Sequence, residues 1–113
     1  MIDDPEKTEL FMSRLKDLLP IDAAIATDLR RSLVAKSPEI PIPPRCQVID
    51  LLNLGDDGGV ACCLDIGGPE TEVVHIVSIT QLLFDRRAPL FKEIDTYQRR
   101  RIKKMRRQRG RDF

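Results

Sequence analysis

The sequence predicts a small α+β protein built from an N-terminal helical hairpin, a three-stranded antiparallel β-meander and a C-terminal helix with a protruding basic end. Two observations support the helices and the strands: apolar residues recur at helical spacing near both ends of the chain, and they alternate or cluster as in strands from residue 45 to residue 79. Turns rich in Gly and Asp separate the expected strands. The length of 113 residues suits one core with an appended arm.

The first helix is expected at about residues 5–19. Asp4 is an N-cap residue, and Pro5 follows it at a position where the missing N–H has no cost. The apolar residues of the segment recur on one helical face: Leu10, Phe11, Leu15, Leu18 and Leu19. Pro20 cannot continue the helix, so it should end there.

A second helix is expected from Ala23 to about Lys36, with Asp22 as its cap and Pro38 as its stop. Its apolar residues have four-residue spacing: Ile25, Leu29 and Leu33. Two short amphipathic helices joined by so few residues favour an antiparallel hairpin. The first unit of the chain is therefore predicted to be a helical hairpin over residues 1–37.

Residues 38–44 contain four prolines and predict an extended, polyproline-like linker between the helical part and the sheet. The same stretch has a second interpretation, because Pro38 and Pro41 have the spacing of a PxxP peptide ligand. This motif lacks the basic neighbour that usually accompanies such ligands. We therefore favour the linker.

Three strands are expected next: Cys46–Leu54, Val60–Ile66 and Glu72–Ile79. An Asp-Gly turn at 55–59 joins the first two, and the Gly-rich segment 67–70 joins the second to the third. The third strand is apolar on both faces. Three strands cannot cover both faces by themselves, so we expect one face to pack under the helices and the other to pack against a second copy, a longer sheet or the N-terminal hairpin. A homodimer is therefore expected.

The C-terminal part is predicted to be helical. Ser78 and Gln81 have the spacing of a capping box, which predicts a third helix anchored by the apolar residues 82–84. Pro89 should break that helix. A last helix then runs from about Pro89 to Arg109, and Gly110 is its expected stop. Residues 45–98 thus form the meander with its helices, and 99–113 form a basic arm.

The charge is strongly segregated along the chain, although the net charge is only +1. Residues 99–113 contain nine Lys or Arg and one acid, whereas residues 1–98 contain ten basic and seventeen acidic residues. Beyond Gln98 only Ile102 and Met105 remain to dock the last helix, so its second half is expected to protrude. The basic residues are Arg99, Arg100, Arg101, Lys103, Lys104, Arg106, Arg107, Arg109 and Arg111.

Phosphate binding is the function that this arm favours, since a row of Arg and Lys can neutralise the backbone of RNA or DNA. Two alternatives stay open. The arm can pair with the acidic surface of another protein or of a neighbouring copy, as in a homodimeric scaffold, or it can be a solvated tail. The arm lacks the broad apolar face that a membrane-surface helix needs, so no membrane partner is expected.

Composition excludes several other functions. With four Phe, one Tyr and no Trp, aromatic platforms for base stacking are not expected. No segment has the roughly 20 apolar residues of a membrane span, and the acidic start MIDDPEKTEL is unlike a secretory signal. We therefore expect a cytoplasmic protein.

The cysteines and the single histidine do not predict a metal site or an active site. Cys46, Cys62, Cys63 and His75 lack paired CxxC spacing, and neighbours on a strand point to opposite faces. A Cys-His-Asp set with Asp65 could be assembled on any small sheet. We expect reduced, buried thiols, a His75 with one hydrogen-bond partner, no cofactor and no enzymatic activity.

Overall fold

The computed structural model describes residues 4–36, 38, 42–66 and 75–111, and only the backbone at 56, 57 and 108–111. These residues form three longer helices, one single-turn helix and five strands. In chain order the elements are α1 (Pro5–Lys16), β1 (Ile21–Ile25), α2 (Thr27–Lys36), β2 (Arg45–Asn53), the single turn α3 (Gly55–Gly58), β3 (Val60–Leu64), β4 (His75–Ser78), a 3₁₀ turn (Ile79–Gln81), β5 (Leu82–Leu83) and α4 (Phe91–Arg111).

The α+β class is confirmed, but the sheet has five strands and the prediction of a three-stranded sheet is wrong. The strand order is β4-β3-β2-β1-β5, and every neighbouring pair is antiparallel. The predicted meander is present as β2, β3 and β4. The two strands that the sequence did not reveal, β1 and β5, extend it beyond β2.

The sheet must be strongly curved, because its two outermost strands are close in sequence. Only the 3₁₀ turn separates β4 from β5, although they lie at opposite ends of the strand order. Four chain steps span at most about 14 Å, whereas four strand spacings of a flat sheet would need about 19 Å. The curvature brings the two outermost strands towards each other and creates the place where α4 docks.

The expected helical hairpin is wrong, because β1 occupies the start of the expected second helix. Ala23 pairs with Cys46 of β2, and the Asp22 carboxylate accepts a hydrogen bond from the Gln47 side-chain amide at 3.1 Å instead of capping a helix. The four-residue spacing misled because it crosses an element boundary: Ile25 belongs to β1, while Leu29 and Leu33 lie on α2.

The start of α1 agrees with the sequence pattern, whereas its end does not. The Asp4 carboxylate accepts a hydrogen bond from the backbone N–H of Lys7 at 3.2 Å, so Asp4 is the N-cap of α1. The helix ends at Lys16, three residues earlier than expected. Met12 and Leu15 are its buried apolar residues.

The proline-rich segment is not simply a spacer where the structure describes it. Ile42 is buried in the core, and the Pro44 carbonyl accepts a hydrogen bond from the backbone N–H of Ile25 at 2.9 Å. The segment therefore packs against the sheet at its C-terminal end. Residue 37 and the linker residues 39–41 lie outside the described residues, as do the expected turn at 67–70 and the expected strand residues 72–74.

The capping box at Ser78 and Gln81 exists, but the element that it begins is short. The Ser78 hydroxyl accepts a hydrogen bond from the Thr80 backbone N–H at 3.2 Å, and the Gln81 side chain accepts one from the Ser78 N–H at 3.3 Å. The box starts a 3₁₀ turn, and Leu82 then enters β5 instead of a third helix. The expectation of an α-helix here is wrong because an N-terminal signal does not fix helix length.

The core lies on one face of the curved sheet. Val48, Leu51, Cys62, Leu64 and Val77 all point into it, as their cross-strand pairing requires. Residues from the three longer helices complete the core. None of the helices in the described part of the chain is long and apolar enough to cross a bilayer.

Candidate nucleic-acid interface

α4 begins after a compact turn, two residues later than expected. The Arg87 N–H donates to the Asp85 carboxylate at 2.9 Å, and the Phe91 N–H donates to the Ala88 carbonyl at 3.1 Å. Pro89 lies in this turn, and Leu90 has a positive φ of 63°. The backbone continues as a helix through Gly110 to Arg111, so Gly110 is not the stop that the sequence predicted.

One face of α4 holds the helix on the sheet. Ile94 is fully buried, and the hydroxyl of the buried Tyr97 accepts a hydrogen bond from the backbone N–H of Val60 at 3.0 Å. The Gln98 side-chain amide donates to the carbonyls of Ile79 and Leu82, at 2.7 and 2.9 Å. These bonds attach α4 to β3 and to the link between the two outermost strands.

Arg101 belongs to this docking face, although it lies in the middle of the basic run. Only 2% of its surface is exposed. A Cβ atom on Gly59 would lie 2.5 Å from the Arg101 guanidinium carbon, so the guanidinium sits directly on the Gly59 backbone. Gly59 has a φ of 69°, which few residues other than glycine adopt. The contact depends on glycine both for its conformation and for the absence of a side chain.

The expectation that docking ends at Gln98 is therefore wrong. Arg101 is buried, while Lys104 and Met105 are half-buried, so the interface extends nearly two turns further. Ile102, an expected docking residue, is 37% exposed. The sequence does not predict the burial of Arg101, because nothing in the pattern distinguishes one of three consecutive arginines from the others.

The opposite face of α4 carries a row of exposed cations, which we call the cationic stripe. At 100° per residue its members fall within an arc of about 120°, with Ile94 and Arg101 on the far side of the helix. Its members are Lys92, Arg99, Arg100, Lys103, Arg106 and Arg107, all exposed. Lys92 was not among the predicted binding residues. Its seven-residue spacing from Arg99 is the signal that could have found it.

Among the described residues, few carboxylates neutralise the stripe. The Arg99 Nε lies 3.1 Å from the Asp95 carboxylate, yet the Arg99 side chain is 81% exposed. Within the described residues, no acidic side chain lies within ion-pair distance of the stripe residues Arg100, Lys103, Arg106 and Arg107. The side chains of the other predicted binding residues at the end of the run, Arg109 and Arg111, lie outside the description.

The thiols are buried and held in the neutral form. Burial, with smaller contributions from Cys63 and Cys46, raises the pKa of Cys62 to about 12. Burial also raises the pKa of Cys46, with Asp65 adding to it, and that of Cys63, with Asp50 adding to it. Cross-strand pairing puts Cys62 on the core face and Cys63 on the other. This arrangement disfavours thiolate chemistry at neutral pH.

His75 is 6% exposed, and neither ring nitrogen has a hydrogen-bond partner among the described residues. The partner that the sequence led us to expect is not found there. The described part of the chain also contains no cluster of three His, Cys, Asp or Glu side chains that could hold a metal ion.

Comparisons with protein-family models, with curated proteins and with solved structures find no match to this chain. The geometry of α4 and its surroundings is therefore the basis for inferring a function.

Proposed function

We propose that the chain binds nucleic acid, RNA or DNA, through the cationic stripe of α4. The observation that carries the proposal is the combination of a helix held on the sheet by its buried face with an exposed row of cations, most of which have no acidic side chain within ion-pair distance among the described residues. Phosphates at the stripe would displace condensed counterions and supply affinity with little sequence dependence. Arg101 acts as a positioning residue in this proposal.

The remaining predicted residues take part differently. Lys104 is half-buried beside the docking face and lies at the margin of the stripe. Arg109 and Arg111 are included because they continue the basic run in the sequence.

The decisive experiment measures binding to a fluorescent duplex over a range of salt concentrations. With five phosphates engaged, log K should fall against log salt with a slope of about −4.5. A variant with five stripe residues changed to Gln should lose this binding while remaining folded: Arg99, Arg100, Lys103, Arg106 and Arg107. The control variant loses the same charge from exposed residues elsewhere: Lys16, Arg30, Arg31, Lys36 and Arg45.

The two variants separate a local site from a general charge effect. Equal loss in both would mean that net charge alone governs binding, and no loss in the stripe variant would refute the proposal. Truncation after Gln98 would not separate binding from folding, since it would also remove the buried Arg101 and disturb the fold.

A homodimeric scaffold whose basic helix pairs with an acidic protein surface is the second candidate. It is favoured by the outer face of the sheet, where Ile76 of the outermost strand β4 is 49% exposed and Ile49 of β2 is 49% exposed. Light scattering should then report a dimer that Ile76→Lys dissociates. A monomer at all concentrations would eliminate this candidate without affecting the first.

A further inference from the structure

A groove of about 390 Å³ lies between α1 and α4, beside the cationic stripe. We call it the α1/α4 groove. Its volume is in the range of pockets that hold small organic ligands. Lys92 and Arg100 belong both to the stripe and to the lining of the groove. A chain molecule that follows the stripe would therefore pass the mouth of the groove.

The floor of the groove is apolar and partly aromatic. The rings of Phe11 and Tyr97 stack with their centroids 5.1 Å apart and an angle of 28° between their planes. Phe11 is half-buried, and the neighbouring Leu10 is 64% exposed. The composition alone argued against an aromatic platform. The structure brings two of the five aromatic side chains together at this place.

The rim of the groove has an excess of positive charge. Lys7, Arg14, Lys92 and Arg100 line it, against the acids Asp4 and Glu93. Both acids already have partners within the chain, and one of these partners is Arg14, so Lys7, Lys92 and Arg100 are the cations that can receive an anion. Asp4 accepts the N-cap hydrogen bond of α1, and the Glu93 carboxylate lies 3.7 Å from the Arg14 guanidinium. The groove thus combines an apolar floor with cations that can receive an anion.

A nucleotide has both of the chemical parts that such a groove accepts, a flat apolar base and a phosphate. We propose that the α1/α4 groove receives an unpaired base of single-stranded nucleic acid, while the flanking phosphates lie on the cationic stripe. This inference rests on the proposed function and deepens it, because a base in a duplex is already stacked and paired. It assigns a preference for single strands.

An acidic peptide helix fits the groove less well. Such helices insert apolar anchors at i, i+3, i+4 and i+7 into a long apolar channel. Leu10 is the one large exposed apolar side chain in the lining that the structure describes. One exposed apolar spot suits one base better than a row of anchors.

The test compares two fluorescent 12-nucleotide DNA strands by anisotropy: an oligodeoxyadenylate and a strand of the same length whose sugars lack bases. Both strands present the same phosphates to the stripe. The proposal expects the abasic strand to bind about fivefold more weakly or worse, the lower end of what one lost base–aromatic contact costs. Leu10→Ser should weaken the binding of the oligodeoxyadenylate by a similar factor and leave the binding of the abasic strand unchanged.

The matched control is Leu83→Ser, because Leu83 is 60% exposed on β5 and does not line the groove. It should change neither affinity. Equal binding of the two strands, or an effect of Leu10→Ser on both, would overturn the groove assignment and leave the stripe proposal standing. Failure of both strands to bind at low salt would instead refute the proposed function itself.

Discussion

Arg100 and Arg101 are adjacent in the sequence, yet the structure gives them opposite environments. Arg100 is exposed on the cationic stripe, whereas Arg101 is 2% exposed and rests on Gly59. The two faces of α4 therefore divide one run of charge into a part that fixes the helix and a part that is open to a partner. A count of cations along the sequence cannot separate these parts, because the separation depends on which residues α4 presents to the sheet.

The largest expected loss of stability comes from changing Gly59, whose backbone lies beneath the Arg101 guanidinium. Gly59→Ala places a methyl group on the guanidinium and forces alanine into φ 69° and ψ −153°, so we expect a loss of about 3 kcal/mol in the free energy of unfolding. Urea unfolding followed by circular dichroism measures it. The control is Gly55→Ala, which has φ 81° but open space around it and should lose only about 1 kcal/mol. Equal losses would mean that the Arg101 side chain gives way to the added methyl group and does not hold α4 on Gly59.

The next effect contrasts the two arginines directly. Arg101→Ala removes a buried side chain and its contacts, and should cost about 2 kcal/mol of stability. Arg100→Ala should change stability by no more than about 0.5 kcal/mol. It should also reduce the slope of log K against log salt by about 1, the contribution of one phosphate contact. Unfolding and salt-titration measurements on both variants check this pair. If Arg100→Ala lost stability and Arg101→Ala changed the salt dependence of binding, Arg100 would belong to the docking face and Arg101 to the cationic stripe.

A smaller effect is expected from the hydroxyl of Tyr97. Tyr97→Phe leaves the backbone N–H of Val60 without its acceptor in a fully buried position, which should cost about 1.5 kcal/mol. Amide exchange at Val60 should accelerate along with the loss of stability. Thr96→Val, at the exposed neighbouring position, should alter neither quantity. An unchanged exchange rate in Tyr97→Phe would show that the hydrogen bond does not anchor α4.

The sequence pattern identifies elements whose signals are local. The cap of α1 at Asp4, the β2–β3 hairpin and the long C-terminal helix are all present, because capping and turn chemistry act within a few residues. β1 and β5 were missed for a different reason. They are five and two residues long, and their pairing with each other is set by the curvature of the whole sheet.

The candidate site was only partly predictable for the same reason. The exposed cations of α4 follow from the sequence, but the burial of Arg101 depends on Gly59, forty-two residues away. The α1/α4 groove likewise needs Phe11 and Tyr97 to meet across two helices. Contacts between residues distant in the chain leave no periodic pattern, so helical spacing could not predict them.

The smallest expected effect is a change in stability whose sign depends on whether single-stranded DNA is bound. Lys103 lies four residues from both Arg99 and Arg107, so Lys103→Gln removes two repulsive pairs and should raise stability by about 0.5 kcal/mol at low salt. Thermal unfolding should show this gain shrinking as salt is added. Arg31→Gln, on α2, removes no such pair and should give no gain. With single-stranded DNA present the order should reverse, since ligand stabilisation of the folded protein rises with the logarithm of the binding affinity, and the wild type binds more tightly. If Lys103→Gln stayed the more stable protein at saturating DNA, Lys103 would not contact phosphate.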